Sequence, residues 1–320
     1  MLPGIAVDPE EILKELRELW VQLAQNQEAS GGVLRACAMT LIVAAEPDAE
    51  GRDAAAAHRT IGVLMHDQPS RAIVISPRER GEFAARVFSE CWMPFGGQKQ
   101  ICAEGIEVAA DTEQMDEVAR LLVPLIAPDL PVVLWCRGPG AFRDRSLDPL
   151  FSLADKIIFD TAGVRHPAPA IEFLRRLRKS RPHVADLEWT RLTAWREAVA
   201  HLFANGTADV TAAKVWYRGD RAGTAPTYFA RWIERALSGA NVLLELSQGN
   251  SASTPAGLCG VSFSIGKREI SIQFKDENAL EVDNGGKVYT SPLPGISEEL
   301  LMGEELSILG SDPVFDRVLL

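Results

Sequence analysis

Four short apolar runs recur in the first half of the chain. They lie within VLRACAMTLIVAA, RAIVISP, PDLPVVLWCRG and DKIIFDT. A run of Val, Ile and Leu with no polar alternation suits a strand buried on both faces, and such strands belong to parallel sheets covered by helices. Helical periodicity fills the gaps. An alanine-rich helix is expected over 50–65. DTEQMDEVARLLVPLIAPD sets Met115, Val118, Leu122 and Leu125 on one face, and Pro124 shortens its last turn. Helix, short loop and apolar strand repeat from residue 50 onward, which is the α/β alternation.

Upstream, Ile12, Leu16, Leu19, Trp20 and Leu23 mark an amphipathic helix over 9–26, broken by SGG at 30–32. ICAEGIEVAA alternates from Ile101 and reads as a strand near a sheet edge. VLRACAMTLIVAA reads as one largely buried strand. Residues 33–161 therefore form a three-layer, Rossmann-like α/β domain whose strand order the sequence leaves open.

The texture then changes. Helices are expected over 168–180, over TRLTAWREAVAHLFA with Thr190 or Thr193 as cap, and over TAPTYFARWIERALSG with Thr224 or Thr227 as cap and Gly239 as stop. AAKVWYRG reads as a strand, and NVLLELSQGNSASTPAG as a strand followed by a polar loop. Cys259, Val261, Phe263, Ile265, Ile270, Ile272 and Phe274 alternate, and ALEVDNGGKVYT reads as a hairpin around Asn284–Gly285. A last helix is expected near 297–308. The division expected is 1–165, an α/β domain with an N-terminal helix, and 166–320, an α+β domain with an antiparallel meander.

Composition narrows the function classes. At 320 residues and 47% hydrophobic, the chain can bury two cores. A net charge of −11 argues against a broad nucleic-acid footprint. No apolar run reaches the length of a membrane span, and the start, MLPGIAVDPEEILKELREL, lacks the pattern of a secretory leader. Cysteines at 37, 91, 102, 136 and 259 contain no C-x-x-C pair, so reduced thiols and a cytoplasmic location are expected.

Catalytic signatures are weak. RGPGAFRD at 137–144 lacks the continuation of a dinucleotide loop, and GVSFSIGK at 260–267 reads as a hairpin turn rather than a phosphate loop. The five histidines have no metal-ligand spacing, so no metal and no cofactor is expected. Cys136 beside Arg137 invites a nucleophile reading, but no nearby histidine supports one; a packed thiol is the simpler reading. Asp160 follows KIIF and falls at a strand's carboxyl end, where open α/β sheets bind ligands. Ser70 and Arg71 with Arg137 offer a phosphate contact, and Asp160 a hydroxyl contact, for a sugar-phosphate site in the α/β cleft. The clearer signal is aromatic and basic: Trp135 with Arg137, and Trp189, Arg191, Trp195 and Arg196 in EWTRLTAWRE. Tryptophan and arginine together suit a protein interface, although tryptophan also packs in cores while arginine reaches solvent.

HDQPSRAIVISP at 66–77, LLVPLIAPDLPVVLWCRG at 121–138, ADKIIFDTAG at 154–163 and VADLEWTRLTAWREAVAHLF at 184–203 carry a resemblance in order. From about residue 30 to the end, the chain resembles the bacterial glucose-6-phosphate dehydrogenase assembly protein family, OpcA. The commoner family form has two tryptophans before the arginine; here Cys136 stands second. The resemblance implies a non-catalytic partner that assembles or allosterically activates the dehydrogenase of the oxidative pentose phosphate pathway. It makes Trp135, Arg137, Trp189, Arg191, Trp195 and Arg196 candidates for the partner surface or its support, and self-association is compatible with it. Thiol redox control, linked to some branches, is not carried over. The alternative is a sugar-phosphate-binding protein or enzyme using Ser70, Arg71, Arg137 and Asp160.

Overall fold

A computed structural model describes residues 7–26, 33–48, 50–78, 83–94, 96, 99–164, 166–180, 183–204, 210–237, 243–248 and 257–320. Two compact units are present. One comprises Met1–Asp160, Arg181–Val184 and Glu298–Gly310; the other comprises Thr161–Ser180, Ala185–Ser297 and Ser311–Leu320.

The first unit is built on β1 (Val33–Arg35), β2 (Met39–Ala44), β3 (Ser70–Pro77), β4 (Ala84–Trp92), β5 (Gln100–Ala110), β6 (Val132–Cys136) and β7 (Lys156–Phe159), and its sheet ends on β8 (His183–Asp186). β5, β3, β2, β6 and β7 follow one another in parallel. β4 runs antiparallel along one edge of β5, while β1 and β3 share the other edge end to end. Read in chain order, the path moves from β2 outward through β3 to β5, then returns to the opposite side of β2 for β6, β7 and β8. This is the doubly wound Rossmann-like order, with its reversal between β2 and β6.

Every residue of β2 and β6 is buried, as the unalternating runs require. Burial of Leu41, Ile42 and Val43 in β2 contributes about 1.5–3 kcal/mol each. The helix Arg52–Leu64 buries Ala54, Ala57, Ile61 and Leu64, one stripe at helical spacing. The helix Met115–Leu122 stops where Pro124 demands it and passes into a tight turn over Val123–Leu125. Near the chain's end, the helix Glu298–Ser307 returns to this unit. Lys156, nearly sealed, ties it down: its ammonium meets Glu305 Oε1 at 2.6 Å and donates to the carbonyls of Glu305 and Ile308 at 2.8 and 2.6 Å.

The second unit holds a six-stranded sheet, ordered β10-β9-β11-β12-β13-β14. These are β9 (Val210–Arg218), β10 (Leu243–Gln248), β11 (Gly257–Ile265), β12 (Arg268–Asp276), β13 (Ala279–Asp283) and β14 (Val288–Pro292). β9 and β10 are parallel, and β9 through β14 otherwise pair antiparallel. Val215, Val261, Phe263, Ile270, Ile272, Leu280 and Val282 form its buried face. Gly266 and Gly285, at φ +60° and +66°, turn the β11/β12 and β13/β14 hairpins, a conformation that costs a side chain but not glycine. The architecture is thus the expected one, a Rossmann-like domain followed by an α+β domain with an antiparallel sheet.

Four local expectations change. VLRACAMTLIVAA makes two strands, not one, because β1 pairs with β5 while β2 pairs with β3 and β6. The threonines do not cap their helices. Asp186 caps the short helix Leu187–Thr190, and Thr193–Leu202 and Thr224–Ala236 start without a side-chain cap. Gly239 lies outside the described residues. A further helix, Pro313–Leu319, follows the last one expected, capped by Asp312. Finally, Cys91 and Cys102 are not reduced thiols but a disulfide. The β4/β5 register sets them directly opposite, with Cα atoms 4.1 Å apart.

Candidate functional site at the reversal of strand order

Where β2 and β6 end, the sheet opens onto a cavity of about 320 Å³, lined in part by Ala44, Glu46, Thr112, Arg137, Arg143 and Ser146. Of its polar groups, Glu46 comes from the connection AEPDAEGRD after β2 and Arg137 from RGPG after β6. Asp48 turns the first connection into the helix Arg52–Leu64. Its carboxylate accepts from the backbone N–H groups of Glu50, Arg52 and Asp53 at 2.9, 2.9 and 2.7 Å. Those bonds, from Asp53 and Arg52 first, hold its carboxyl below the usual carboxylate range.

Asp53 faces the other way. It accepts from Glu46 N–H at 2.7 Å and takes a forked pair from Arg137, Nε at 2.9 Å and Nη2 at 2.8 Å. Arg137 also donates from Nη1 to Glu298 at 2.7 Å, and Thr60 donates to the same Glu298 oxygen at 2.8 Å. The Arg137 guanidinium lies over the Trp135 ring, 4.4 Å from its centre. So the arginine delivered by PVVLWCR is 8% exposed and is held by two carboxylates and an aromatic face.

Glu46 leans onto the second connection. A Cβ on Gly138 would push against the Glu46 carboxyl, and Gly138 has φ +84°, a backbone conformation that favours glycine. Partial burial raises the Glu46 carboxyl above its ordinary value, and repulsion from Asp53 and Asp48 adds to this against the pull of Arg137. Cys136 is fully buried, and burial pushes its thiol far up, away from the reactive thiolate.

Two family models match the chain. The one described as the N-terminal domain of the glucose-6-phosphate dehydrogenase subunit covers residues 62–176, and the one described as the C-terminal domain of that same protein covers 182–319. The chain belongs to the OpcA family. The model descriptions tie that family to glucose-6-phosphate dehydrogenase, and the names of its relatives tie it to the oxidative pentose phosphate cycle. Among named relatives, the chain is 25% identical over 160 residues to a "Putative OxPP cycle protein OpcA" of Synechocystis sp., covering 49% of this chain and 32% of that one. It is 26% identical over 146 residues to its namesake in Synechococcus elongatus, covering 44% and 32%. The matched stretch thus spans about a third of these relatives' length.

By structure, the chain is similar to a levoglucosan dehydrogenase in complex with NADH and L-sorbose, at TM-score 0.50 and 10% identity, covering 87% of this chain and 92% of that one. It is equally similar to an NAD binding oxidoreductase from Klebsiella pneumoniae, at TM-score 0.50 and 10% identity, covering 89% and 94%. These likenesses establish the fold alone.

The fold raises the question of a dinucleotide at the reversal, where a glycine-rich turn and bare helix N–H groups would hold its pyrophosphate. The residues of this OpcA-family chain do not fit one. The N–H groups of Arg52 and Asp53 are already bonded to Asp48. Of the carboxylates in this connection Glu46 lines the cavity itself, and the nearby Arg137 is committed to Asp53 and Glu298. The signal was present in the sequence as AEPDAEGRD in place of a glycine-rich loop after the first long strand.

The other candidates fall elsewhere. Ser70 and Arg71 open β3 at the opposite end of the parallel strands from Arg137, about 15–20 Å away along the strand direction. Arg71 is buried against Glu104 at 2.6 Å and donates to the Leu125 carbonyl at 2.7 Å. Arg35 and Trp20 join it on Glu104. Burial alone would raise the Glu104 carboxyl; the Trp20 bond and the charges of Arg71 and Arg35 outweigh it and hold it low. Asp160 follows β7 half-buried and does not line the cavity. The structure therefore does not bring Ser70, Arg71, Arg137 and Asp160 into one pocket, because residues at the start and at the end of parallel strands cannot meet.

In the second unit, Trp189 and Trp195 are interior, 2% and 5% exposed. Trp189 donates to Asp312 at 2.7 Å and stacks on Phe315 at 5.5 Å; Trp195 meets Phe229 edge-on at 6.1 Å. Arg196 lies over Trp189 at 4.0 Å and donates to Thr193, while Arg191 pairs with Glu188 at 2.9 Å. Both arginines are half-buried. Trp135 is likewise sealed in the first unit. All three tryptophans are buried, not exposed.

Proposed function

We propose that this chain acts by binding glucose-6-phosphate dehydrogenase and favouring its active oligomer or conformation, without catalysing a reaction itself. The observation that carries this reading is the self-occupied reversal site in a chain of the OpcA family: the helix N–H groups of Arg52 and Asp53 are bonded to Asp48, Arg137 is committed to Asp53 and Glu298, and Glu46 lines the cavity. A binding partner raises activity when it binds the active state more tightly than the inactive one, and by the same free energy the active state binds the partner more tightly. In this reading Trp189 and Trp195 stiffen the surface from beneath, and Arg191 and Arg196 orient the partner. Among the described residues no helix is long and apolar enough to cross a membrane, which agrees with such a role.

The test is co-purification of the full chain with the dehydrogenase of the same organism, followed by kinetics and sedimentation with and without it. A complex together with a change in substrate affinity, turnover or oligomeric state is expected. Absence of both a complex and any such change refutes the reading.

A further inference from the structure

The second unit carries a groove whose chemistry differs from the rest of this acidic chain. It lies between the helices Thr224–Ala236 and Pro313–Leu319 and encloses about 600 Å³. Each helix contributes residues at i, i+3 and i+4: Trp232, Arg235 and Ala236 from one, Val314, Arg317 and Val318 from the other. That spacing sets three side chains of each helix on one face. The walls are thus apolar and the rim carries two arginines. Arg235 and Arg317 are exposed, and neither has a carboxylate partner among the described residues. Trp232 is half-buried, with its ring 5.5 Å from Phe229.

The groove is rigidly backed. Trp195 packs on Phe229, which packs on Trp232; Trp189 packs on Phe315, inside the second helix. Arg231 donates to the Val318 carbonyl at 3.4 Å and joins the two helices. A preorganised groove of this kind loses little entropy when it is filled.

We infer that this groove is the docking site for an acidic, amphipathic segment of the dehydrogenase, one bulky apolar side chain entering beside Trp232 and carboxylates meeting Arg235 and Arg317. Charge complementarity selects that occupant. The chain has 44 acidic and 33 basic residues, so a surface lined by two arginines and by no Asp or Glu side chain is set apart from its surroundings. Aromatic and arginine side chains around an apolar groove are also the composition of binding hot spots.

The inference rests on the proposed binding to the dehydrogenase, and one experiment separates the two. Affinity of the full chain for the same organism's dehydrogenase is measured by calorimetry at low and moderate salt. It is repeated for Arg235→Glu with Arg317→Glu, and for Arg235→Gln with Arg317→Gln. Both side chains are exposed, so circular dichroism and melting are expected to match the parent. The charge-reversed pair is expected to lose at least about 30-fold in affinity and the glutamine pair about 10-fold. The salt dependence flattens in both, since the screened attraction is gone. If the charge-reversed pair fails to fold, the glutamine pair decides. Undiminished affinity in the variants that fold overturns the groove and leaves the binding standing. No binding by the unaltered chain overturns the binding and the groove together.

Discussion

Arg137→Met tests how the reversal site is held. The substitution keeps an unbranched apolar side chain and removes the guanidinium, and with it the stacking over Trp135, the forked pair to Asp53 and the bond to Glu298. Breaking one side of a buried ion pair costs about 3–5 kcal/mol, because a carboxylate is left in a poor solvent. Asp53 and Glu298 side chains keep 21% and 34% exposure, so some water reaches them. The loss is therefore placed at the lower end, about 3 kcal/mol. For a unit of this size that is a fall of roughly 6–12 °C in melting temperature. Urea and thermal unfolding give the magnitude, and hydrogen exchange over β2 and β6 shows that the loss is local. Asp53→Asn in the Arg137→Met background is expected to recover about half of it, since it removes a carboxylate left beside Glu46 and Asp48. A loss under about 0.5 kcal/mol, or an Asp53→Asn effect equal in both backgrounds, refutes the ion-pair account.

Three further outcomes follow from other sites. Glu107 is held down to about 2 by His58 and Arg86 against the opposing effect of burial; its stabilisation is full above its ordinary value near 4.5 and is lost as pH falls toward 2, so Glu107→Gln, costing about 1–3 kcal/mol at neutral pH, differs less and less from the parent in acid urea titrations. Asp186, raised to about 6 by burial although Thr161 and Tyr228 bond it, acts in the opposite sense: the folded form holds the proton longer, so stability falls as pH rises from about 4 to about 6, and that slope is expected to vanish in Asp186→Asn. A thiol reagent is expected to label the half-buried Cys37 and Cys259 in the native chain and to reach Cys136 only after unfolding, which mass spectrometry of the labelled peptides reads directly.

The part of this protein that its amino-acid order determines is the part governed by near neighbours. RAIVISP and PVVLW are strands because nothing polar interrupts them, Pro124 ends its helix because it lacks an N–H, and Gly285 turns a hairpin because its φ is positive. Those local rules also establish the order of α/β and antiparallel segments, and hence the fold class. They do not say which strands lie side by side. Only the tertiary structure sets Cys91 opposite Cys102, parts Arg71 from Arg137 by the length of β3, and brings Glu298 to Arg137 across 161 positions of chain. It also turns Trp135, Trp189 and Trp195 inward, because burying a large ring is worth more than showing it unless a partner is there to cover it. Trp232 and the arginines near it stand out only when two helices far apart in the chain are laid next to each other. Charge and burial are properties of a surface, and the surface is made by packing.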